Sequence, residues 1–325
     1  MGSYLINMSL FAFAILNVPI SGAAIMMNMF YVYCMFSPQN GSENILKPPL
    51  NVLLGSLIGC NLTLNFLNLL FVSYDTFFSV SSWIYAVSSA VVLYVTRTSF
   101  TTSLGLNVFY YFQIVPVRQA FLVWVKTHMK VFMYLTLVFD RIFFLFEFIL
   151  QVMDPRKYAI SEMDLNSSIA HVNVTSGNAV HFNLLRVDFW LRSGYLFLCV
   201  VIMLASNTVT VLYLCSHMKS MKENTSSSSR LHHQKQMRVT VMGIIQMVLF
   251  FISSGWLMTN ELFIYYFVYK FDEKEYVIAS VMTLYSLGTT MILGVGQTTF
   301  RLRAIYFGKI LLQSLKFLYR CCWRG

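Results

Sequence analysis

Seven times along the 325 residues the sequence holds an apolar run long enough to cross a bilayer, at about 9–36, 48–74, 86–113, 129–152, 192–216, 238–266 and 277–298. About 20 such residues in a helix span the hydrocarbon core. A transmembrane barrel would instead alternate apolar and polar residues in pieces of about ten, and these runs are unbroken. With 57% hydrophobic and 11% charged residues, the chain lacks the polar side chains to coat a soluble surface. The expectation is an all-α membrane protein, a seven-transmembrane-helix bundle over residues 1–298 followed by a tail over 299–325.

The basic residues set the orientation. With the amino terminus outside, the larger part of the 23 lysines and arginines falls on the inner side: Lys47; Arg118, Lys126 and Lys130; Lys219, Lys222, Arg230, Lys235 and Arg238; and six from Arg301 to Arg324. The outer connections hold fewer, mixed with carboxylates, which is the positive-inside pattern. The net charge of +10 is therefore a topology signal with some attraction to anionic membrane lipid, and calls for no nucleic acid. The first apolar run has no basic segment before it and is too long for a signal peptide, so it reads as an uncleaved helix. In the tail, Lys309, Gln313, Lys316 and Arg320 lie on one stripe and Leu311, Leu312, Leu315, Leu318 and Cys322 on the opposite one, predicting an amphipathic helix along the inner leaflet.

Polar residues inside the runs are the next constraint, because each must find a partner away from lipid. Asn28, and Asn61 and Asn65 with Ser56 and Asn68 nearby, read as interhelical hydrogen-bond glue. Arg97 lies about 16 Å into the third run, and Asp140 about 18 Å into the antiparallel fourth, at 1.5 Å per residue. Equal depth predicts an Arg97–Asp140 pair, with Glu147 as the alternative partner. Glu261, water or a bound ligand are the other readings for Arg97.

The inner end of the third run, Leu104-Gly-Leu106-Asn-Val-Phe109-Tyr110-Tyr-Phe-Gln113-Ile114, leads into Phe121-Leu122 and Lys126. The third inner connection carries His217, Lys219 and Met221, then His233-Gln-Lys235-Gln-Met237. Near the end stand Leu284, Tyr285, Gly288, Leu293, Gly296 and Arg301. In these motifs the chain resembles the vertebrate bitter taste receptors, the type 2 taste receptors, as a divergent member. Gln113, Pro116, Asn61, Thr289-Thr290, Gln297 and Thr299 depart from that pattern. The resemblance implies a G-protein-coupled receptor at the plasma membrane. A small bitter-type agonist would enter an outward-facing pocket and favour a bundle arrangement whose inner ends admit a heterotrimeric G protein.

Candidates for the pocket are Thr96, Arg97, Phe100, Trp256, Glu261 and Met282, of which Thr96 and Met282 stand where this family places ligand contacts. Candidates for the G-protein face are Tyr110, Arg118, Lys126, Lys130, His217, Lys219, His233, Lys235 and Arg238. The long, polar second outer connection, about Met153 to Leu191, offers glycosylation at Asn166 and Asn173. Cys321 and Cys322, beside basic residues at the membrane edge, are palmitoylation candidates. None of the six cysteines falls in an expected outer loop, so no outer disulfide is expected. The histidines lie too irregularly for a metal site, no cofactor is implied, and enzyme motifs such as His-Glu-x-x-His or a phosphate loop are missing. Two other readings remain open. One is a vomeronasal pheromone-type receptor; the other, a small transporter or channel, would be expected to show internal repeats or broken helices.

Overall fold

The structure is a computed structural model and describes residues 8–37, 49–77, 82–116, 118–152, 177–221, 227–267 and 276–322. Nine helices lie among the described residues. They are α1 (Leu10–Phe36), α2 (Leu50–Phe77), α3 (Ser82–Ile114), α4 (Ala120–Thr127), α5 (Met129–Val152), α6 (Gly177–Met221), α7 (Ser227–Phe267), α8 (Tyr276–Gly296) and α9 (Thr298–Cys322). Local chemistry sets several of their ends. The Ser9 side chain accepts the Ala12 N–H at 3.2 Å and caps α1. Pro116, which disfavours a helical residue before it, follows the end of α3.

Five helical segments are long and apolar enough to cross a membrane: Leu10–Phe36, Leu50–Tyr74, Arg186–Ser216, Met237–Phe263 and Tyr276–Gly296. The chain is a multi-pass membrane protein on that ground, and its regular structure among the described residues is helical. Of the remaining long helices, α3 and α5 interrupt their apolar residues with polar and charged ones, and α9 is the tail. The α3 middle is rich in serine and threonine around Arg97, and α5 carries Lys130, Asp140, Arg141 and Glu147.

Helices α1, α2, α3, α6, α7 and α8 pack side by side in a closed ring in which α8 returns to α1 and α2, and α5 packs on α3. Helix α3 is the hub, touching α2, α5, α6 and α7. Every residue from Val95 to Ser103 is buried. A helix so polar is stable only where neighbouring helices surround it. Helix α5 presents Val131, Leu135, Val138, Ile142, Leu145 and Ile149 outward and turns Met133, Leu137, Asp140, Phe144 and Glu147 inward. That inversion, apolar outside and charge inside, is what a lipid-facing helix requires.

Asn28, Asn61, Asn65 and Asn68 are the interhelical glue expected of them, and Asn17, which the sequence reading did not single out, joins them. Asn28 donates to Thr290 (2.9 Å), Asn61 to Thr289 and Thr290 (3.1 and 3.2 Å), Asn65 to Ser286 (2.7 Å) and Asn17 to Ser280 (2.7 Å). Asn68 reaches Asn17, Ser21 and Thr283 at 2.8–3.2 Å. This ladder fixes α8 against α1 and α2 along most of its length.

Two expectations about helix limits are corrected. Helix α6 begins at Gly177, so Asp188 is a helical residue and not part of a loop reaching to Leu191. Polarity there marks departure from the apolar run; it does not end the helix. The connection after α3 also contains α4, packed on α5 through buried Val125.

Candidate functional site

The polar residues of α3, α5, α6 and α7 converge near the end of the bundle at which α1 begins. The Arg97 guanidinium forms ion pairs with both Glu147 of α5 and Glu261 of α7. Arg192 of α6 joins them, with Nη1 3.4 Å from Glu147 Oε1 and 3.6 Å from Glu261 Oε1, and its Nε 3.0 Å from Asp188 Oδ2 one turn earlier. Five charged side chains from four helices thus make one cluster. Arg97 and Glu147 are its buried heart, at 2% and 5% side-chain exposure; Arg192, Asp188 and Glu261 form the rim at 13–14%.

Equal depth is therefore the wrong guide to the partner of Arg97. Among the described residues it pairs with Glu147 and Glu261, and the expected Arg97–Asp140 pair does not form. The depth argument assumed that α3 and α5 end level with each other. Arg97 lies about four turns into α3, whereas Glu147 is little more than one turn from the end of α5, so α3 projects well beyond its neighbour. Asp140 sits two turns along α5 from Glu147. There the Tyr195 hydroxyl donates to its Oδ1 at 3.1 Å and meets Thr101 Oγ1 at 2.8 Å. Arg141 turns to α2 instead, donating to Ser56 Oγ at 2.7 Å and to Cys60 Sγ at 3.4 Å.

The other pocket candidates lie beside the cluster or just below it. Phe100 and Met282 are buried in one apolar cluster with Met203, Phe250, Leu257 and Tyr285, and Trp256 packs against it. The Phe100 ring lies 4.9 Å from Phe250 and 4.8 Å from Tyr285. Thr96 is buried, and its hydroxyl has no hydrogen-bond partner among the described residues.

At the opposite end, Gln297 donates to the Tyr110 hydroxyl, tying α3 to the junction of α8 and α9. A cavity of about 20 Å³ lies beside this bond, between Leu106, Tyr110, Met242, Gly243, Gln246 and Gln297. It has room for about one water molecule, so α3, α7 and α8 are closed on one another here. Arg118, Lys126 and Lys130 are exposed at this end and Arg238 is half-buried. His217 and Lys219 lie on α6 and His233 and Lys235 on α7, where only the helical course is described.

The tail is helical as its pattern predicts. It docks on α1 through Phe300 stacked on Tyr31 (4.6 Å), Phe307 against Phe30 and Tyr33, and Arg303 donating to the Ser37 carbonyl at 2.6 Å. Cys321 and Cys322 close its last turn, with side chains outside the described set. Asn166 and Asn173 lie outside the described residues.

Sequence reasoning missed Asp188, Arg192 and Tyr195 as members of the site. The signal was present: Asp188 and Arg192 stand four residues apart, the spacing of a helical ion pair, directly before an unbroken apolar run. No family model matches the chain, and no curated protein is found similar to it.

Proposed function

We propose that the chain is a seven-span, G-protein-coupled chemosensory receptor of the plasma membrane, similar to the bitter taste receptors. It is not an enzyme in this reading. The carrying observation is the bundle of helices packed about a buried, polar α3, with the ionic cluster at one end of that helix and the Tyr110–Gln297 bond at the other. Counting α3 and α5 as spans rests on the place of α3 within the bundle, on the packing of α5 against it and on the apolar outer face of α5.

The resemblance gains support from where its departures fall. Asn61, Thr289 and Thr290 all differ from the bitter-receptor pattern, and they bond to one another. Gln297, another departure, bonds to Tyr110, which matches. Changes that compensate in space are what a divergent member of one fold accumulates.

A ligand that binds better to one arrangement of the bundle shifts its population toward that arrangement. A small molecule held between α3, α5, α6 and α7 bears directly on α3. Opening of the far end, where Arg118, Lys126, Lys130 and Arg238 stand, then requires the Tyr110–Gln297 bond to part. The test is calcium release or G-protein activation in transfected cells against a panel of bitter compounds. The expected result is at least one agonist, with its response abolished by Tyr110→Ala/Lys235→Ala at unchanged surface expression. A panel without agonists, or a response that the double variant leaves intact, refutes the reading.

A further inference from the structure

The ionic cluster is unbalanced. Among the described residues, two guanidinium groups, Arg97 and Arg192, face three carboxylates, Glu147, Asp188 and Glu261. Asp140, two turns along the same face of α5, adds a fourth carboxylate and Arg141 beside it a third guanidinium, bonded to Ser56 and Cys60 of α2, so the carboxylates still outnumber the cations by one. Each guanidinium is already shared by at least two carboxylates. The surplus is negative and sits where charge is costly to leave unpaired.

The hydrogen-bond inventory points the same way. Glu147 is 4% exposed, and its Oε1 takes both arginines, yet its Oε2 receives no hydrogen bond among the described residues. Asp140 Oδ2 is likewise unpartnered on a residue 3% exposed. Arg97 Nε and Nη1 also lack a hydrogen-bonded acceptor, but they belong to a guanidinium whose charge two carboxylates already share. An anion placed here would deepen the imbalance; a monocation with N–H donors would remove it. Tyr94, one turn before Arg97, and Phe148, next to Glu147, lie edge-to-face at 6.2 Å and add apolar wall and ring faces to which a cation is attracted. The rim carries the most exposed members of the cluster, Arg192, Asp188 and Glu261 at 13–14%, and is the side from which a ligand would enter. Asp188 and Arg192 stand at the start of the Arg186–Ser216 span, and Glu261 stands near the end of the Met237–Phe263 span.

We propose that this cluster is the anchoring subsite for the ammonium group of an amine with an apolar body, with Glu147 Oε2 accepting its N–H. The amine's identity as an agonist rests on the receptor reading; its binding does not.

The purified full-length protein in detergent is melted with 2-phenylethylamine, its neutral counterpart 2-phenylethanol, and 3-phenylpropionate. Each is used up to about 10 mM, enough to stabilise a folded state that binds it with millimolar affinity. The amine is expected to raise the melting temperature, with the alcohol and the carboxylate binding at least about tenfold more weakly, as loss of a charge-assisted bond predicts. Glu147→Gln is expected to weaken the amine at least about tenfold and leave the alcohol unchanged. No stabilisation by the amine, equal stabilisation by all three, or preference for the carboxylate overturns the proposal, as does undiminished amine binding to E147Q. Should E147Q not yield folded protein, the wild-type series decides alone. The same compounds in the cell assay separate the two claims. Amine binding without G-protein activation refutes the receptor reading and keeps the subsite, and activation by neutral compounds without amine binding does the reverse.

Discussion

Replacing Arg97 by methionine removes the centre of the ionic cluster while keeping a long apolar stem. Glu147 and Glu261 then lose their main cation, and Arg192 is left to serve three carboxylates. Breaking a buried pair by deleting one member costs about 3–5 kcal/mol, most of it the burden of the uncompensated charge left behind. At about 2 °C per kcal/mol for a chain of this size, the melting temperature of the purified protein should fall by roughly 6–10 °C. Neutralising the stranded acids should reverse this, because a buried ion pair can be exchanged for uncharged side chains at little net cost. R97M/E147Q/E261Q is therefore expected within about 2 kcal/mol of wild type. R97M/D140N should remain as unstable as R97M, since Asp140 is held by Tyr195 and not by Arg97. The measurement is a thermal melt in detergent, with surface expression as a second reading. Rescue by D140N and none by the paired glutamine changes would refute the assignment of partners.

Three further outcomes are expected. Tyr110→Phe removes the acceptor of the Gln297 amide, a loss of about 1 kcal/mol, and should raise agonist-independent G-protein activation roughly fivefold; unchanged basal activity counts against the bond as a latch. Asn68→Ala deletes the donor to Asn17, Ser21 and Thr283 and should destabilise by about 1–2 kcal/mol in a thermal melt, at the upper end of interhelical bonds in membranes. Gly294→Ala should destabilise even though alanine favours a helix interior by about 1 kcal/mol, because the added methyl meets the Tyr31 hydroxyl; Tyr31→Phe should partly relieve it in the same melt.

The sequence discloses the ladder of asparagines almost completely, because each polar group on an apolar helix must face a neighbour, and i, i+4 spacing tells which groups share that face. Arg97 and its acidic partners were visible as residue types for the same reason. Their pairing was not, since it depends on the relative height of two helices, and that height is set by the extra length of α3, which hydropathy does not report. The reach of α6 beyond its apolar run was hidden by the same limit: a helix continues past the membrane wherever its backbone can, with no apolar residues needed. Helix α4 and the closed far end are products of packing between α3, α5, α7 and α8, which no single stretch of chain encodes.

The polarity of α3 and α5 also bears on how the protein is made. An arginine, lysine or aspartate at the centre of a lone helix costs about 2.5–3.5 kcal/mol to insert, and α5 carries Asp140, Arg141 and Glu147 within two turns. In the seven-span reading, neither helix partitions into lipid unaided during synthesis. Each must wait at the translocon for neighbours that satisfy its charges, and for Arg97 one of those, Glu261, is made 164 residues later. In that reading biogenesis is a cooperative step late in translation, and substitutions in α7 will appear as failures of α3 to integrate.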